Sequence, residues 1–127
     1  MAKKKVIDKY EMDIYPRTLW VCKNVTNEDI NKKFEVKDPT KIDVSYTFAW
    51  LCMDKKTGNY GYIVNISDCT LKRKDMSEII KDISHESEHV KIMLFDEIGQ
   101  EETYDGQEAS AYLVGWVASK VYKTFKK

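Results

Sequence analysis

The chain has 127 residues, enough for one domain with a sizeable core and too few for two. Its 21 basic and 21 acidic side chains cancel, which counts against nucleic acid and an anionic membrane as partners. An apolar fraction of 43% with 12% aromatics sets the chain apart from sequences that stay unfolded.

The N-terminus is basic at Lys3 to Lys5, but Val6-Ile7-Asp8-Lys9-Tyr10-Glu11 follows instead of an apolar signal core. Tyr10 to Tyr15 alternates weakly and breaks at Pro16. Leu19-Trp20-Val21-Cys22 is a compact strand. Thr26 followed by Asn27-Glu28-Asp29 reads as a capped helix start, with a short helix over 27–33. Pro39 marks a loop. Val44 to Met53 and Tyr60 to Ile66 are rich in β-branched and aromatic residues, and Asp54-Lys55-Lys56-Thr57-Gly58-Asn59 joins them as a hairpin. Tyr46, Phe48, Trp50, Tyr60 and Tyr62 read as sheet core and cross-strand pairs.

The second half is helical. From Asp75 to Ile98, the residues Ile79, Ile80, Ile83, Val90, Leu94 and Ile98 share one side at 100° per residue, and Gly99 follows as a left-handed cap. After Gln100 to Asp105, a second helix runs over 106–125. It is apolar on most sides, as a central buried element would be, and Gly115 in its middle permits a close neighbour. Strands first and helices later make an α+β domain spanning 1–127, with strands over 1–70 and two helices over 75–125. Cys22, Cys52 and Cys69 are odd in number and lack a C-x-x-C pair, which argues against a disulfide framework. Each is expected to be a small buried hydrophobe in a reducing compartment. With no stretch near 18 apolar residues, the expectation is a soluble cytoplasmic protein.

The chemistry lies in His85-Glu86-Ser87-Glu88-His89. The two histidines of the chain stand four residues apart, one turn of a helix, so both imidazoles can reach one ion. At this composition the arrangement with Glu86 arises by chance on the order of one time in a thousand. Zn²⁺ takes neutral imidazole nitrogens, and a catalytic zinc site uses three protein ligands plus a water. Glu86 projects about 100° around the helix from His85 and can take that water's proton as general base. The bland alternative is a solvated stripe of Glu78, Asp82, His85, His89 and Asp96. Under the metal reading, Asp82 could orient an imidazole.

With histidine exhausted, a third ligand must be a carboxylate or come from a partner. Glu108, in the first turn of the second helix, is the foremost candidate, with Glu101, Glu102 and Asp105 behind it. Its rival role is structural, since Asp105-Gly106-Gln107-Glu108 is spaced as a capping box. Tyr112 lies one turn beyond Glu108 and serves either as a packing residue or as a catalytic hydrogen-bond donor.

His85-Glu86-Ser87-Glu88-His89 followed by Glu108 resembles the gluzincin branch of zinc metallopeptidases. The C-terminal half, including Gln107-Glu108-Ala109-Ser110-Ala111-Tyr112-Leu113-Val114-Gly115-Trp116, is similar to small zincin-like proteins of bacteriophage and prophage genomes. The resemblance covers roughly 75 to 122. It implies a small antiparallel, three-stranded sheet packed on the active-site helix, with His85, His89 and Glu108 as zinc ligands and Glu86 as base. It implies hydrolysis of a peptide or protein substrate. The chain departs from the pattern in placing Tyr112 where an acid is common. It also lacks a further histidine for the tetrahedral intermediate, leaving Tyr104, Tyr112, Arg17 or Arg73 to substitute. A non-catalytic zinc protein, serving in phage assembly or regulation, is the competing expectation.

Overall fold

Two strands carry unbroken apolar runs, and the sheet is built around them. β2 (Thr18–Lys23) is buried at every position, and β5 (Tyr60–Ile66) at every position but its first. Such runs belong to strands covered on both faces. Leu19 and Val21 of β2, with Tyr62, Val64 and Ile66 of β5, enter one core; Trp20, Cys22 and Ile63 enter another. Alternation along each strand thus feeds two cores from one sheet.

The computed structural model describes residues 3–127. Its sheet has five strands in the order β1-β2-β5-β4-β3, where β1 is Val6–Glu11, β3 is Phe34–Glu35 and β4 is Phe48–Asp54. The antiparallel, three-stranded expectation is corrected: the sheet is mixed, because β2 and β5 pair in parallel, Thr18 with Gly61 through Lys23 with Ile66. Between them the chain makes a long excursion through α1 (Asn27–Lys33), β3 and β4, and β5 then inserts beside β2. β4 and β5 form the expected hairpin. The first strand lies earlier than its weak alternation suggested. Residues 12–17 form the connection to β2 instead, closed by Met12 N–H donating to the Arg17 carbonyl at 3.2 Å.

Helix α1 has the expected Thr26 cap with a reciprocal bond from Asp29, and its Ile30 fills the second core. A four-residue helix, α2 (Asp68–Leu71), follows β5. Helix α3 (Met76–Ile98) starts on the Asp75 side chain and ends on Gly99 at φ 69°. Helix α4 (Gln107–Phe125) packs beside it on the first core. α4 is not the central element: Leu113, Val117, Val121 and Thr124 make a single buried stripe. Its small residues Ala109 and Ala118 are only partly buried, and a Cβ on Gly115 would meet nothing within 4 Å. Of the aromatic group, Tyr62 is fully buried whereas Tyr46 and Tyr60 are exposed. Among the described residues, no helix is long and apolar enough to cross a membrane.

Candidate metal centre

The site follows from how α3 lies on the sheet. Ile79, Ile83, Glu86 and Val90 are spaced four, three and four apart, so they share the stripe that faces the core, and all four are buried. Glu86 therefore occupies an inward position, while His85 and His89 stand at the exposed border of the same stripe.

The two imidazoles meet. His85 Nε2 and His89 Nε2 are 3.1 Å apart, with the rings edge to face and their centroids 4.7 Å apart. Without a metal, one Nε2–H can donate to the other nitrogen's lone pair. Two nitrogens bound at about 2.0–2.1 Å to one tetrahedral ion lie about 3.3 Å apart. The pair therefore fits a divalent ion with almost no change in α3. One ligand atom from each of His85, Glu86 and His89 lies within 4.8 Å of the others, a group that could hold a metal ion.

Glu86 is 6% exposed and makes no hydrogen bond or ion pair among the described residues. Burial, with the Asp82 carboxylate adding to it, pushes its carboxyl from 4.5 up to about 7. Asp82 is tied to the cavity wall by other partners. It accepts from Thr70 Oγ1 at 2.8 Å and from Arg73 Nε at 2.6 Å. Arg73 in turn is held above its usual value, chiefly by that hydrogen bond.

Beside the group lies a cavity of about 170 Å³. Ser45, Tyr46 and Thr47 line it from the approach to β4, Ser67, Cys69 and Thr70 from the end of β5 and α2, and Arg73, Asp82, His85 and Glu86 from the α3 side. Beyond this cavity runs an open strand edge. β3 pairs with β4 only at Met53 and Asp54, so the outer edge of residues 48–52 has no backbone partner among the described residues.

The structure does not bring Glu108 to this group. It is exposed in the first turn of α4, outside the 4.8 Å cluster and the cavity lining. Nor does it complete a capping box: the cap of α4 is Gly106, with no side-chain cap bond. Glu102 is committed elsewhere, to Lys91 and to Ser110 Oγ at 2.8 Å. Tyr112 is 49% exposed on α4 and Tyr104 is 92% exposed, neither lining the cavity. Arg17 lies 3.7 Å from Glu97, away from the site. The cavity residues missed by sequence reasoning are Ser45, Thr47, Ser67, Thr70 and above all Cys69, which is exposed rather than buried. One signal marked it: Cys22 and Cys52 sit in apolar strand runs and Cys69 does not.

Comparison of the chain with protein-family models, curated proteins and solved structures gives no match.

Proposed function

We propose that this chain is a small zinc-dependent peptidase in which His85 and His89 hold the metal and Glu86 moves the proton. The observation that carries the reading is the convergence of the two Nε2 atoms at 3.1 Å beside a buried carboxyl that opens on a cavity. Zinc, when bound, supplies Lewis acidity that makes water nucleophilic near neutral pH and polarises a peptide carbonyl. Glu86 accepts the proton of the attacking water and delivers it to the leaving amine. A carboxylate beside the attacking water, within reach of its proton, is the group this transfer needs. Arg73, paired with Asp82, is the arginine that lines the same cavity and is the candidate to stand in for the absent further histidine. The substrate is an extended peptide that adds to the open edge of β4, whose N-terminal approach lines the cavity. The resemblance of His85-Glu86-Ser87-Glu88-His89 to gluzincins and to zincin-like proteins of phage genomes supports the same chemistry.

The test is direct. Glu86→Gln should abolish cleavage of an unfolded protein substrate while metal content stays at that of the parent. Undiminished cleavage by Glu86→Gln overturns the assignment. A second reading, a non-catalytic zinc protein of phage assembly or regulation, is favoured by the position of Glu108 and Tyr112 outside the group. It predicts zinc that is lost in His85→Ala and no turnover by the parent.

A further inference from the structure

Cys69 stands apart from the other two cysteines. Cys22 and Cys52 are closed within the second core, and burial pushes the Cys22 thiol up to about 12 and the Cys52 thiol up as well. A thiol so buried is a poor ligand. Cys69 is exposed on α2 and lines the cavity that His85 and Glu86 also line. Its neighbour Thr70 fixes this short helix in place. Thr70 Oγ1 is 2.8 Å from Asp82 Oδ2, one turn before Glu86 on α3, and 2.7 Å from Thr47 Oγ1.

The cavity also holds a carboxyl without a direct protein partner. Glu86 is 94% buried by difference from its 6% exposure, has no protein partner among the described residues, and opens on this space. A carboxylate placed so is costly unless a positive charge or a proton meets it. Two imidazole nitrogens converge beside it, and no carboxylate from α4 joins them. Zinc accepts cysteine sulfur as readily as histidine nitrogen.

We propose that the Cys69 thiolate is the third protein ligand of the metal held by His85 and His89. The proposal rests on the zinc reading above and assigns the place that Glu108 does not fill. Cys69 lies outside the tight group of His85, Glu86 and His89, and it shares the lining of one cavity with His85 and Glu86. On ligation the thiol proton leaves to solvent and the sulfur lone pair forms the bond to the metal. A set of two histidines and one cysteine leaves a fourth position open beside Glu86, as a catalytic site requires.

Cobalt(II) titration of the full chain tests this, since a thiolate ligand gives a near-ultraviolet sulfur-to-cobalt charge-transfer band and imidazoles and carboxylates do not. The parent should bind one cobalt per chain with that band. Cys69→Ser should lose the band and bind cobalt and zinc about tenfold or more weakly. His85→Ala should lose binding, and Glu108→Ala should match the parent. As a second readout in the unaltered chain, one equivalent of zinc should suppress labelling of Cys69 by a thiol reagent. Cobalt bound without the band, or zinc that leaves Cys69 labelling unchanged, overturns the cysteine assignment and leaves the histidine site standing. No cobalt or zinc bound by the parent overturns both.

Discussion

Glu86 carries two demands that pull against each other. Its place on the core-facing stripe of α3 buries the carboxyl, yet its chemistry requires the charged form. In metal-free protein the cost is measurable. The unfolded chain loses this proton near 4.5 and the native chain near 7, so the native state holds the extra proton within that window. Stability from this group is therefore full below about 4.5 and is lost as pH rises through about 7. Glu86→Gln mimics the protonated form at every pH. With chelator present, its stability should equal the parent's near pH 4 and exceed it at pH 8 by about 1–2 kcal/mol, after allowance for solvent at the cavity mouth. Chemical denaturation at the two pH values checks this; an equal difference at both would mean that Glu86 does not titrate in the window. The spacing of His85, Glu86 and His89 was plain in the sequence, because one helix places all three. The partners across the cavity were not, because Cys69, Thr70 and Thr47 reach it only through the folding of α2 and β4 against α3.

At the scale of elements, the glycines separate two kinds of packing. Gly61, the second residue of β5, pairs with Thr18 of β2, and a Cβ there would lie 1.8 Å from the Thr18 carbonyl oxygen, a backbone atom that cannot rotate away. Gly61→Ala should therefore cost about 3 kcal/mol or more by forcing the central parallel pair apart. Gly115, inside α4, has open space around it, and Gly115→Ala should stabilise by about 0.5–1 kcal/mol through helix propensity. Urea denaturation of both variants, with unchanged slopes, measures the contrast. A mild Gly61→Ala or a damaging Gly115→Ala would contradict this account of the packing. The same elements mark what local pattern can reveal. The extents of α1 and α3 and the pairing of β4 with β5 follow from caps, stripe and turn, all local signals. The parallel pairing of β2 with β5 joins segments some 40 residues apart and leaves no local mark, so the sheet read as antiparallel. α4 misled for a different reason: alanine and glycine raise its apolar content without requiring burial.

For the whole molecule, the question is whether a metal would hold the fold or only occupy it. The sheet is covered on one side by α3 and α4, through residues such as Leu94, Leu113 and Val117, and on the other by Ile30, Phe34 and Ile42. Neither core contains His85, His89 or Cys69. Both histidines lie on α3, so a metal held by them alone links no two elements. With Cys69 it links only α2 to α3, a connection already made by Thr70 and Arg73 to Asp82. Metal therefore stabilises by mass action, by RT ln(1 + [M]/Kd), and does not create the core. A small domain organised by structural zinc behaves otherwise and unfolds when the metal is withdrawn. Chelation should leave a single cooperative thermal transition, with Tm lowered by only a few degrees, on the order of ΔΔG over the entropy of unfolding. His85→Ala without chelator should unfold at the temperature of the chelated parent, because both lack the same bound ion. Loss of the cooperative transition on chelation would show that the two cores are insufficient by themselves. It would also favour a structural metal over a catalytic one.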